Sequence, residues 1–228
     1  MIDIIVPVLG RPQNVRPLVD SIKENIVVEH RIIFLCSQGD DDEISEANIT
    51  PEIDIVATST FPAGPGDYAK KINAAFRSTK SPFIFTAADD VTFTPGWDTH
   101  ILAVAERTGA GMVGSNDDAN PLVKRGRHST HSLFSRAYID KVGGTFFDGP
   151  GVVYHEGYDH QWIDTEAVKA AMDRREWAFA RRSVVKHHHP MYDRSVSMDD
   201  TYRRALGDAR SDQALYRARL QEWARSRR

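Results

Sequence analysis

Apolar residues along this chain fall into two alternating patterns: short continuous runs, and longer stretches in which they recur every three or four positions. Residues 2–6 (IDIIV) form a run rich in β-branched side chains, which predicts a buried strand that Pro7 ends. In residues 14–25 (NVRPLVDSIKEN), Val15, Leu18, Val19 and Ile22 keep helical spacing, with Asn14 as predicted N-cap and Pro17 in the first turn. Residues 31–36 (RIIFLC) and 53–57 (IDIVA) predict two more strands. Residues 66–76 (GDYAKKINAAF) predict a helix capped by Asp67, with Tyr68, Ile72 and Phe76 on one face. FIFTA at 83–87 predicts a fourth strand, WDTHILAVAERT at 97–108 a helix, and GMVGS at 111–115 a fifth strand. Strands alternating with amphipathic helices predict an α/β fold, a Rossmann-like and mostly parallel sheet flanked by helices.

The second half is less regular. Residues 116–130 read as a loop, 131–135 (HSLFS) as a strand, 156–175 as one long helix and 177–189 as one or two strands. Residues 198–228 form an arginine-rich helical tail, with Tyr202, Leu206, Leu215, Tyr216, Leu220 and Trp223 available to dock it on the domain.

Composition narrows the classes. A length of 228 residues suits one domain, or one domain with an appendage. A net charge of −3 predicts no general attraction to nucleic acid or to anionic membranes. The single cysteine, Cys36, excludes an internal disulfide. No window reaches the ~18 apolar residues of a membrane span, and the first residues do not read as a signal peptide. A soluble cytoplasmic protein is expected.

Ligands of open parallel sheets bind beyond the carboxyl ends of the strands. The polar clusters of the first half fall at such ends: residues 7–12, CSQGDDDE at 36–43, and Asp89 with Asp90. The turn Gly64-Pro65-Gly66-Asp67 opens a helix whose first turns carry Lys70 and Lys71, a combination suited to an anion such as a diphosphate. Beside it, Asp89 and Asp90 read either as turn caps or as carboxylates for a divalent cation that bridges to phosphate. Of the run His187-His188-His189, a strand sends the first and third to one face and the second to the other. They read as exposed loop residues or as ligands suited to Mn²⁺.

The order of these features resembles that of GT-A glycosyltransferases, and looks most like small family-2-type enzymes, including compact ones of bacteriophage genomes. The features are a strand ending in proline, an acidic loop, a glycine-rich turn with Lys71-x-Asn73, Asp89-Asp90, an acidic helix start and a late histidine. The resemblance covers roughly residues 2–200. It implies a GT-A domain at 1–198, with a nucleotide-binding half (1–118) and an acceptor half (119–198), followed by a helical tail at 199–228. It implies transfer of a sugar from a UDP- or GDP-sugar to a hydroxyl acceptor, with inversion and with Mn²⁺ or Mg²⁺, in the host cytoplasm for a phage-encoded enzyme.

Carried over by position, TAADDV puts Asp90 in the place of the metal-binding carboxylate, with Ala88 where the family has another acid and Asp89 free to contact donor ribose or metal. WIDTEA puts Asp164 in the place of the catalytic base, with Glu166 following and Ile163 where a glutamate is usual. His187 is favoured over His189 as metal ligand. Pro7, Arg11, Asp40 or Asp41, Lys71 and Asn73 fall on the donor side, and residues 147–149 (FDG) face the acceptor. Asp159 and Glu156 are rival bases. The basic loop VKRGRHSTH at 123–131 reads as solvated, or as a flap over the diphosphate or an acidic acceptor.

Two other classes share these features. A sugar-nucleotide nucleotidyltransferase calls for a glycine-rich basic loop after the first strand, and PVLGRPQN has one glycine. A non-catalytic nucleotide-sugar-binding module is favoured by Ala88 and opposed by the joint presence of Asp90, Asp164 and His187.

Overall fold

The computed structural model describes residues 1–64, 66–207 and 209–227; Pro65 of the expected glycine-rich turn and Arg228 at the end of the expected tail lie outside them. One eight-stranded sheet runs through the molecule in the order β3-β2-β1-β4-β7-β6-β8-β5. Its parallel half is β1 (Ile2–Pro7), β2 (His30–Gln38), β3 (Ile55–Pro62) and β4 (Phe83–Thr86). In the other half β7 (Ser132–Ser135) lies antiparallel between β4 and β6 (Met112–Asn116), and β8 (Trp177–His187) runs parallel to β6. The short β5 (Val91–Phe93) closes that edge antiparallel to β8.

Alternation along the central strands feeds two cores. Ile4 and Val6 of β1 and Ile32, Phe34 and Cys36 of β2 pack against α1 (Pro12–Asn25), α2 (Asp41–Asn48) and α4 (Trp97–Thr108). Ile5, Ile33 and Leu35 point the other way, toward α3 (Asp67–Ser78), α6 (Arg136–Val142) and α7 (Ile163–Arg174). Burial of each such side chain contributes about 1.5–3 kcal/mol, so the layers stand without help from the strand tips. The tips are thereby left to carry buried charge.

Several boundaries differ from expectation, each for a local reason. Helix α1 starts at Pro12, whose missing N–H suits the first helical position, so Asn14 lies inside the helix and is not its cap. Strand β3 starts at Ile55, because Asp54 is engaged with the backbone of Ile32 just before it. Helix α3 is capped by Gly66 at φ 73, where a Cβ would run into the carbonyl oxygen of Glu156, and Asp67 is its first residue. The expected loop at 116–130 contains the short helix α5 (Pro121–Lys124), with Asn120 accepting from Leu122 N–H.

The long helix expected over 156–175 begins only at Ile163. Residues 156–162 form an irregular turn whose N–H groups at Asp159, His160 and Gln161 donate to the carboxylate of Asp212, at 2.7, 2.9 and 2.7 Å. Asp212 belongs to the tail, which folds as α8 (Asp200–Gly207) and α9 (Ala209–Ser226). Strand β8 is one strand with an irregularity: Ser115 pairs with Ala180, but Asn116 pairs with Val184.

Candidate active site

Polar residues gather where β1, β2, β4 and β8 end. Pro7 is the buried last residue of β1, paired with Leu35 of β2. Beyond it the chain turns into α1 and delivers Arg11, which is 4% exposed, to the turn between β4 and β5. Its NH1 lies 3.0 Å from Asp89 Oδ1 and 3.2 Å from Asp90 Oδ2. The other edge of the guanidinium holds Asp199 through Nε (2.8 Å) and NH2 (3.1 Å). Tyr202 places its ring 3.9 Å from the guanidinium carbon and its hydroxyl 2.7 Å from Asp90 Oδ2.

That leaves Asp90 Oδ1 buried with no hydrogen-bond partner, 3.3 Å from His187 Nε2. Burial opposes the charge on Asp90, but His187, Tyr202 and Arg11 outweigh it and hold the carboxyl far below the usual range. Asp89 goes the other way, pushed up by burial first and by the charge of Asp90 second, against Arg11. For His187, burial is outweighed by Asp90, and the imidazole pKa stands above its ordinary value.

The histidine run separates as expected, although β8 ends at His187 and the chain turns beyond it, His189 N–H donating to His187 O at 3.0 Å. His187 and His189 stand together, with ring centroids 5.2 Å apart, while His188 turns away to Thr92 Oγ1 at 2.8 Å. His131 also reaches this cluster, 5.1 Å from the His187 ring, with neither ring nitrogen hydrogen-bonded. Burial first, then the neighbouring His187, pushes its pKa down to about 3.

Asp164 opens α7. Its Oδ1 accepts from Thr165 N–H at 2.6 Å, and its Oδ2 lies 3.2 Å from His128 Nε2. Burial would raise its pKa, but His128 outweighs this and lowers it; the carboxylate in turn overcomes burial and raises the pKa of His128. Asp90 and Asp164 both act electrostatically on His131, His160 and His187, so the two carboxylates address one region.

Other expected site residues are engaged inside the fold. Lys71 is 1% exposed and its ammonium meets Val8 O (2.7 Å), Ser37 Oγ (2.6 Å) and Asp67 Oδ2 (2.9 Å). Three donors meet three acceptors, so Lys71 braces the tips of β1 and β2 and offers no charge to a diphosphate. Asn73 brackets residues 153–156, accepting from Val153 and Tyr154 N–H and donating to Tyr154 O and Glu156 Oε1. Glu166 is 1% exposed and saturated by Phe146 N–H, Tyr158 and Arg219, which makes it a packing residue. Asp159 contributes its backbone, with its carbonyl accepting from Gly66 N–H at 3.1 Å. Asp40 accepts from Gly10 N–H at 2.6 Å beside a cavity of about 560 Å³, while Asp41 is the exposed first residue of α2. The turn at 147–149 is tied to the tail, Asp148 pairing with His155 and Arg219.

The sequence pattern marks His128 and His131 only as part of the basic loop at 123–131 and Tyr202 only as a docking residue of the tail; it does not single out Asp199. The two histidines lie in a stretch without periodicity, and the tail residues arrive only by docking.

Among the described residues, no group of three His, Cys, Asp or Glu side chains is arranged to hold a metal ion. Asp90 Oδ1 and the imidazole facing it nevertheless fit a cation that takes few protein ligands and shares itself with phosphate oxygens and water.

The profile of the family described as Glycosyl transferase family 2 matches residues 3–159. No curated protein matches the chain. Solved structures of similar fold include the mannosyltransferase PcManGT from Pyrobaculum calidifontis, in complex with GDP-Man and Mn²⁺. It superposes with a TM-score of 0.65 at 15% identity, over 82% of this chain and 56% of that one. TarS from S. aureus, in complex with UDP-GlcNAc, gives 0.60 at 9% identity, over 88% and 63%. The glucosyl-3-phosphoglycerate synthase from Mycobacterium tuberculosis, in complex with Mg²⁺ and UDP, gives 0.59 at 15% identity, over 83% and 72%. The chain therefore spans little more than half of the first of these proteins, and at such identities the likeness is one of fold. The family match covers well over half of the chain, and with the sheet order and the carboxylates at the strand tips it leads to one conclusion: the chain belongs to glycosyl transferase family 2 and has the GT-A fold.

Proposed function

We propose that the protein transfers a sugar from a nucleotide-sugar, a UDP- or GDP-sugar, to a hydroxyl-bearing acceptor, with inversion and with Mn²⁺ or Mg²⁺. The observation that carries this reading is the buried Asp90 Oδ1, left free by Arg11 and Tyr202 and facing His187 at 3.3 Å beyond the end of β4. Solved proteins of like fold bind GDP-Man with Mn²⁺ and UDP with Mg²⁺, which supports it.

Asp90 and His187 would hold the cation, with His189 next in reach. When bound, it supplies positive charge against the charge developing on the departing nucleoside diphosphate. Residues 1–118 present Pro7, Arg11, Asp40 and Asp89 to the donor, and residues 119–198 present Asp164 to the acceptor. Asp164 takes the proton of the acceptor hydroxyl as the acceptor oxygen forms its bond to the anomeric carbon and the bond to the diphosphate breaks. Thr165 occupies Oδ1 through both its N–H and its hydroxyl, while Oδ2 faces His128 and keeps a further lone pair for that proton. Attack from the face opposite the leaving group inverts the anomeric centre.

A second reading, a nucleotide-sugar-binding module without transfer, is favoured by Arg11, whose guanidinium already lies against both strand-tip carboxylates. A panel of UDP-, GDP- and TDP-sugars, scored by thermal shift with and without Mn²⁺ and by release of nucleoside diphosphate, separates the two. Metal-dependent binding with release supports transfer. Binding without release supports the module, and no binding removes both.

A further inference from the structure

The family match ends at residue 159, yet the donor side of the pocket is completed by residues far beyond it. Asp199 takes the Nε–NH2 edge of Arg11, and Tyr202 covers its face and reaches Asp90 Oδ2. Thr201 Oγ1 donates to Leu9 O at 3.3 Å. Thr201 and Arg204 of α8 also wall the cavity of about 560 Å³ whose opposite side is Leu9, Gly10 and Asp40. We infer that residues 199–204 are part of the donor site, with Asp199 and Tyr202 as positioning residues, so that uptake of a nucleoside diphosphate with its cation depends on α8. This rests on the donor-site reading above.

The argument is one of competing geometries. A guanidinium prefers a carboxylate bidentately, through two parallel N–H donors. Arg11 satisfies that preference on Asp199, and only NH1 is left for Asp89 and Asp90. Asp90 Oδ1 consequently stays clear of Arg11 and faces His187. Without Asp199 the fork is free to turn onto Asp90, where it closes the oxygen that a cation would use. Tyr202 acts on the same carboxylate from the other side, its hydroxyl fixing Oδ2 so that Oδ1 keeps facing His187.

The test measures binding of Mn²⁺ in the presence of UDP or GDP, by calorimetry, in the full chain and in Asp199→Ala and Tyr202→Phe. Tyr202→Phe removes one oxygen and keeps the ring on Arg11, so it guards against simple loss of fold, which near-ultraviolet circular dichroism and the ligand-free melting temperature monitor. The expected result is Mn²⁺ affinity weaker by about tenfold or more in Asp199→Ala, and by a smaller factor in Tyr202→Phe, with ligand-free melting little changed. Unchanged affinity in both variants overturns the inference and leaves the donor-site reading standing. A wild-type chain that takes up neither UDP nor GDP with Mn²⁺ overturns both.

Discussion

Asp90 has one carboxylate oxygen occupied by Arg11 and Tyr202 and the other facing His187 at 3.3 Å. Asp90→Ala should abolish Mn²⁺-dependent stabilisation and donor turnover. The fold should survive, because Arg11 still keeps Asp89 and Asp199. A thermal-shift series with and without EDTA checks both. Asp164→Asn should lower turnover by roughly 10²–10⁴-fold, the span of general-base catalysis, and leave nucleotide-sugar affinity within a few-fold. Steady-state kinetics set beside calorimetry gives that split. The His128–Asp164 contact also sets a pH window. The pKa of His128 is raised, so its share of stability is present below its unfolded value, near 6.5, and fades as pH rises through the folded value. The pKa of Asp164 is lowered, so its share is present above its unfolded value and fades as pH falls through the folded one. Melting temperature followed from acid to mildly alkaline pH should show an excess of wild type over His128→Gln in mildly acid solution. The excess should shrink in both directions.

At the scale of elements, what periodicity controls was readable and what tertiary contact controls was not. The apolar run of β1 and the helical spacing of α4 are local properties of the chain. Lys71 could be read as a phosphate ligand because nothing local reveals that Val8, Ser37 and Asp67 converge on it. Residues 156–162 carry helix-compatible spacing, yet their backbone donors are drawn to a carboxylate some fifty positions onward, Asp212. Asp212→Ala should leave those three N–H groups without their acceptor. The expected cost is about 1–3 kcal/mol, read by urea unfolding, with faster hydrogen exchange confined to that turn.

For the whole molecule, the surprise lies in the tail. It was expected to dock through aromatic residues, and Leu215 and Tyr216 do pack on the second core while Trp223 stacks on Phe146. It also carries charge inward: Arg219 meets Glu166, which is 1% exposed, and Asp199 meets Arg11. Arg219→Ala strands the Glu166 carboxylate with Tyr158 and one backbone donor. Removing one partner of a buried pair costs about 3–5 kcal/mol, and chemical denaturation should show a loss near the lower end, since Arg219 keeps some contact with water.

Strand β8 answers to β6 up to Ala180 on one side of its irregularity, and on the other to β6 at Val184 and to β5 from Val185 to His187. The irregular stretch between them works like a clutch: it lets the far end of the strand take its phase from β5, whatever phase the near end has taken from β6. Shortening that stretch by one residue would either be absorbed there in silence or advance the far end by one step. In the second case the imidazole facing Asp90 would be that of His188, and His187 would look away. The identity of the group beside the carboxylate is thus written less in which histidines the chain possesses than in how many residues precede them.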